Sequence, residues 1–253
     1  MSTLFVVMQS DSDSIMVCTP MHRTLTAQNI SFIGSGPVNS WNRQAYLTLD
    51  PRTGTSRTSV NEVTDNVIQR NFIMAGTGTS TYPIDHDDCS ASYHDHHNVL
   101  LFGPAKQWGG HSKRATNNLQ IWPDYGAGEY GRAACYDYQA TGAYNEVFAN
   151  NTCILSGHRQ TPWCNHTGCG VMTFRDVCPS ASVNLSVAAS GLVASNNTYY
   201  TPAGAASWRT SDQGCALPLR YVQEREEEAG SRALDVSQLS TTAILARIKE
   251  LLW

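Results

Sequence analysis

The sequence predicts an all-β chain, a single-stranded parallel β-helix (a solenoid) closed by a short C-terminal capping helix, and three observations predict it. An asparagine opens a short β-branched or aromatic run six times, at Asn29-Ile-Ser-Phe, Asn71-Phe-Ile-Met, Asn98-Val-Leu-Leu, Asn118-Leu-Gln-Ile, Asn151-Thr-Cys-Ile and Asn197-Thr-Tyr-Tyr. The steps between these asparagines are 42, 27, 20, 33 and 46 residues, so the shortest matches one bare coil and the others a coil plus a loop. Neither Asn-Gly nor Asp-Gly, the usual two-residue turn of antiparallel hairpins, occurs anywhere in the chain.

Asparagine at each strand entrance has a physical reason in such a fold. Its amide can bond the same group one coil above and below, satisfying polar atoms buried at a turn. It also tolerates the left-handed backbone that a sharp corner needs. One domain is expected over residues 1–253, because solenoids grow by stacking coils and not by swelling a core. Residues 1–21 read as an incomplete first coil, 22–207 as coils and loops, and 208–253 as a C-terminal extension. Within that extension Glu224 to Glu228 reads as a solvated acidic segment. Residues 240–253 read as an amphipathic helix, with Ile244, Leu245, Ile248, Leu251 and Leu252 on one side, that caps the last coil.

Only 15% of the 253 residues are charged and the net charge is -4, without the basic stripe that would replace phosphate counterions, so nucleic acid is excluded as a partner. No apolar run reaches the length of a transmembrane helix. The eight cysteines form no CxxC pair, which favours disulfides in an oxidising compartment over zinc sites; Cys164, Cys169 and Cys178 are close enough in sequence to staple a loop. Five Asn-x-Ser/Thr sequons, at Asn29, Asn150, Asn165, Asn184 and Asn196, point the same way, to a secreted glycoprotein. The start has an apolar patch with no basic region before it, so a signal segment is expected to lie outside this chain.

The chemistry concentrates between Asp85 and Asn118, which holds five of the eight histidines. A glycosidase needs two carboxyl groups flanking the scissile bond. Asp85, Asp87 and Asp88 are the candidate acids and bases, with His111 one coil away as an orienting or proton-sharing group. On a strand, Asp85 and Asp87 share a face and Asp88 does not. His86, His96, Lys106, Trp108, Lys113 and Arg114 are the candidate substrate-binding residues. Trp122, Tyr125, Tyr130, Tyr136 and Tyr138 add flat faces for sugar rings. The lysines, Arg114 and aspartates able to hold Ca²⁺ would also suit a polysaccharide lyase. A transition-metal site using His86, His94, His96 and His111 is the weaker alternative, and no metal is assigned.

Trp41-Asn42-Arg43, Ile84-Asp85-His86-Asp87-Asp88, His96-His97-Asn98-Val99, Lys106 through Gly109-Gly110-His111, and Asn151-Thr152-Cys153 resemble a family of secreted eukaryotic right-handed β-helix proteins. That resemblance implies a right-handed coil and an extracellular location, and no established reaction. More distantly, Asp87-Asp88-Cys89 followed by Gly110-His111, with Asp65 ahead, resembles the polygalacturonase-type glycoside hydrolases. His111 is followed by Ser where that family has Gly, and Arg247-Ile248-Lys249 falls in the predicted helix. The resulting expectation is a secreted protein acting on polysaccharide, a hydrolase using paired aspartates and a histidine. The alternative is a non-catalytic extracellular structural or carbohydrate-binding protein.

Overall fold

The computed structural model describes residues 66–74, 82–87, 93–108, 112–124, 134–139, 145–156, 192–210, 216–224 and 228–253, together with strand segments within 16–57 and 164–175. These residues are mostly β, with two α-helices, Leu219–Gln223 and Thr241–Leu252.

Consecutive strands pass through three sheets in a fixed cycle. Ile84–Asp87, Tyr93–His96 and Val99–Leu101 lie in the first, second and third sheets. Ala105–Trp108, Arg114–Thr116 and Leu119–Ile121 repeat the order, as do Tyr136–Gln139, Glu146–Ala149 and Thr152–Ile154. Each strand pairs in parallel with its counterpart one coil on. The stacking fits a β-helix-like solenoid, and the 20-residue step from Asn98 to Asn118 is one coil.

The asparagines form the amide ladder the sequence predicts, but do not themselves take the left-handed backbone expected of them. Asn98 Oδ1 accepts from the backbone N–H and side-chain Nδ2 of Asn71 at 3.1 and 3.0 Å. Asn118 does the same for Asn98, Asn151 for Asn118 and Asn197 for Asn151. The side-chain Nδ2 of Asn98, Asn118, Asn151 and Asn197 also donates to a backbone carbonyl of an adjacent coil, at Ile68, Asp95, Ala115 and Phe148 respectively. Asn29 lies outside the described residues. The left-handed residue at each corner is the one before the ladder, Arg70, His97, Asn117, Asn150 and Asn196, each with φ between 54° and 58°. The ladder asparagine itself is therefore free to serve as the hydrogen-bonding rung.

Glu228 ends this ladder. Read from its neighbours as a solvated acid, it is fully buried and accepts from Asn197 Nδ2 at 3.0 Å, from Trp208 Nε1 at 3.3 Å, from Tyr199 Oη and from Ser231 Oγ. The last rung has no further asparagine above it, so a carboxyl gathers the free donors. Burial pushes its pKa up, against these four donors that pull it down.

The terminal helix corrects a second expectation. Ser240 caps it by accepting from Ala243 N at 3.2 Å. Its Ile244, Ile248, Leu251 and Leu252 pack with Phe72, Val99, Leu101, Leu119, Ile121, Ile154 and Tyr200, the outward residues of the third sheet. The helix thus lies along the flank, across several coils, and not over the end of the stack. The physical reason is in the third sheet, whose strands are apolar on both faces: Leu100, Cys153 and Tyr199 fill the interior while their neighbours need cover outside. Leu245, predicted on the buried side, is 54% exposed.

Cys135 and Cys153 form a disulfide within one coil, with Cα atoms 6.0 Å apart. Cys164 and Cys169 are register partners in a short antiparallel pair. Cys89 and Cys178 lie outside the described residues. No helix among the described residues is long and apolar enough to cross a membrane.

Candidate functional site

Period-2 alternation divides the Asp85 to Asn118 segment between two environments. In Ile84–Asp87, Ile84 and His86 belong to the interior, so Asp85 between them takes the outer register position. Asp85 Oδ1 lies 2.9 Å from Lys106 Nζ. Lys106 sits one coil on at the same register, and Asp137 follows at the next. Acid, base and acid therefore form one row on the outer face of the first sheet. Tyr82 closes it: Lys106 Nζ stands 5.2 Å from its ring centroid, and its hydroxyl donates to Asp137 Oδ2 at 3.0 Å.

This row is covered, since Asp85 is 7%, Lys106 4% and Asp137 0% exposed. Asp137, on the strand Tyr136–Gln139, is not among the candidates the sequence singles out. The signal that marks its strand is the large-polar-large alternation Tyr136-Asp137-Tyr138.

His86 and Lys113, predicted to bind substrate, face the interior, and the sheet separates them from an outer ligand. His86 Nε2–H donates to Asp95 Oδ2 at 2.8 Å. Lys113 Nζ lies 3.7 Å from Glu146 Oε1, with both side chains almost wholly buried. Tyr136 and Tyr138, read as sugar platforms, are core residues with no exposed surface; Tyr136 packs against Phe148 at 4.3 Å between centroids. Alternation again explains the error, since both sit an even step from interior Ala105 and Gln107 in register.

His96 and Arg114 belong to the outer face of the second sheet, away from the Asp85 row. His94 and His96 share one side of their strand, as predicted, with ring centroids 4.4 Å apart. His96 Nδ1 and His97 Nδ1 are 2.8 Å apart, so one ring donates and the other accepts. His94 Nε2 lies 2.9 Å from Thr116 Oγ1. Burial and the neighbouring His94 and His97 push His96 down to about 4. Burial and the guanidinium groups of Arg70 and Arg247 lower His97 as well. Among the described residues, no three His, Cys, Asp or Glu side chains gather as metal ligands.

Of the remaining predicted site residues, Asp87 and Trp108 are strand positions on the first sheet, where Asp87 is the register partner of Trp41 and Trp108 of Gln139. Asp88 and His111 lie outside the described residues, as do Asp65, Tyr125 and Tyr130.

One aromatic prediction leads to an exposed surface. Trp122 is 40% exposed and stacks on Phe102 one coil away, with centroids 6.3 Å apart and planes 26° off parallel. Both hold left-handed backbone, φ 52° and 62°. Such a conformation is costly for bulky side chains and occurs here on consecutive coils. Beside them Asp124 accepts from the backbone N–H and the hydroxyl of Ser156, each at 2.7 Å. No family model matches this chain, and no curated protein or solved structure is significantly similar to it.

Proposed function

We propose that the chain is a secreted, glycosylated right-handed β-helix that binds glycan through an exposed aromatic surface without cleaving it. The Phe102–Trp122 pair carries this reading: two stacked rings with an exposed face, at a coil corner whose backbone is strained to present them. A pyranose ring stacks on such a face, and adjacent polar groups orient it. Support for the non-catalytic side comes from four carboxylates among the described residues, which are engaged with neighbouring side chains. Asp85 pairs with Lys106, Asp95 with His86, Asp124 with Ser156 and Asp137 with Tyr82. The secretory reading draws on the Cys135–Cys153 disulfide and on sequon residues Asn150 and Asn196, both exposed at coil corners.

A hydrolase is the second reading, favoured by one observation: the outer row of the first sheet carries two carboxylates, Asp85 and Asp137, and Asp87 is a strand position two residues from Asp85. Asp85 and Asp137 are two strand spacings apart, about 9.6 Å at the backbone, near the upper end of the roughly 6.5–9.5 Å carboxyl separation of inverting glycosidases.

Affinity electrophoresis and calorimetry with laminarin, xyloglucan, alginate and polygalacturonate test the binding reading. The expected result is retention on at least one polymer, reduced tenfold or more by Trp122→Ala with the melting temperature unchanged. Failure to bind any polymer sinks it. Release of reducing ends by the wild type, abolished by Asp87→Asn, would move the assignment to the hydrolase.

A further inference from the structure

The interior of the coil built from Ala105–Trp108, Arg114–Thr116 and Leu119–Ile121 differs from a usual apolar core. Its inward positions are Ala105, Gln107, Lys113, Ala115 and Gln120, two of them small and three polar, all buried. The coil before contributes Asp95, the register partner of Ala115. The coil after contributes Tyr136 over Ala105, and Glu146 two residues before Phe148, the other partner of Ala115. Small side chains in the middle coil thus lie between polar groups that reach in from both neighbours.

Several of these groups lack hydrogen-bond partners among the described residues. Asp95 Oδ1, Gln107 Oε1, Gln120 Oε1 and the Tyr136 hydroxyl are buried in this condition, and the Glu146 carboxyl stands beside Lys113, 3.7 Å from its ammonium. Gln107 Nε2 does donate to Asp95 Oδ2, at 3.3 Å, which ties one wall to the floor. Three of these four unpartnered atoms are carbonyl or carboxylate oxygens, so the missing partner is chiefly a donor. Leaving such atoms unbonded costs about 1–3 kcal/mol each, too much for a marginally stable chain to carry at four positions. The field of Asp95 acts on both Glu146 and Tyr136, as expected of groups that share one enclosure.

We propose that the middle coil encloses bound water that bridges Asp95, Gln107, Gln120, Tyr136 and Glu146 into a single hydrogen-bonded chain through the interior. Water supplies two donors per molecule and accepts from the Tyr136 hydroxyl, which matches the acceptor excess. A cation fits less well, because the Lys113 ammonium already stands 3.7 Å from Glu146. The span also favours several molecules over one ion: Asp95 and Glu146 lie two strands and two residues apart, about 12 Å at the backbone.

Water oxygen-17 relaxation dispersion, which detects molecules held inside a protein for microseconds, tests this on the intact chain, with elemental analysis as the arm for a metal. The wild type should show long-lived internal water and no stoichiometric metal, and Gln120→Leu should lower the dispersion amplitude. No dispersion in the wild type overturns the proposal, as does an amplitude unchanged in Gln120→Leu, or a bound metal at one per chain. Should Gln120→Leu fail to fold, a high-resolution crystal structure of the wild type decides, through density bridging Gln120 to Asp95 or its absence.

Discussion

His86 and Asp95 are nine residues apart in sequence and stand on different sheets, yet His86 Nε2 reaches Asp95 Oδ2 at 2.8 Å across the interior of one coil. Residues that looked like one surface cluster are thereby divided. His86 turns inward to serve the core, and its neighbour Asp85 turns outward to meet Lys106.

The asparagine ladder should be a principal source of stability. Asn118 makes four side-chain bonds, to Asn98 N, Asn98 Nδ2, Asp95 O and Asn151 Oδ1, at 2.8–3.1 Å. Asn118→Ala strands several buried donors and acceptors, each worth about 1–3 kcal/mol, so a loss of about 3 kcal/mol or more is expected in chemical denaturation. A loss below about 0.5 kcal/mol, the range of ordinary surface substitutions, would show that the ladder is dispensable.

Glu146 should make the protein less stable as pH rises. Burial lifts its carboxyl from 4.5 to about 8, even with Lys113 close by. Between these values the folded chain holds a proton that the unfolded chain has lost. The contribution is complete below 4.5 and vanishes as pH passes 8, a difference of roughly 5 kcal/mol. Denaturation midpoints measured from pH 5 to 9 should fall more steeply in wild type than in Glu146→Gln; parallel curves refute the assignment.

His96 acts in the opposite direction. Its folded value of about 4 lies below the ordinary 6.5, so its contribution is present above 6.5 and is lost as pH falls through 4. Imidazole chemical shifts should titrate accordingly, and Arg70→Ala should raise both His96 and His97 by removing a nearby positive charge. Titration of His96 near 6.5 in the folded wild type would contradict the packing of the cluster.

The terminal helix should behave as a cover for the third sheet. Ile248→Asp places a carboxylate among Val99, Leu119 and Ile154, so the helix should detach and expose that stripe. Increased binding of an apolar dye, with the β spectrum retained, is the expected readout. Loss of the β signal as well would mean that the helix is integral to the coils. Arg70 Nη1, which donates to Leu251 O at 3.2 Å, offers a milder test through Arg70→Ala.

The architecture was legible because its signals are local. An asparagine before a short apolar run marks a rung wherever it falls, and a serine three residues ahead of Ala243 marks a helix start. Glu228 was misread for the complementary reason: its composition is that of a solvated run, and only the end of the ladder gives it four partners. Asp137 escaped notice because its alternating tyrosines lie next to a glycine-rich loop.

By itself the sequence determined the period of the coils, the rungs that join them, the cysteine-rich composition and the existence of the last helix, all of which depend on spacing or residue type. Tertiary structure alone decided which side of a sheet each polar residue serves. A shift of one residue along a strand reverses its direction, and a partner one coil away lies 20 or more residues distant in sequence. That is why Asp85 meets Lys106, His86 meets Asp95 and Lys113 meets Glu146.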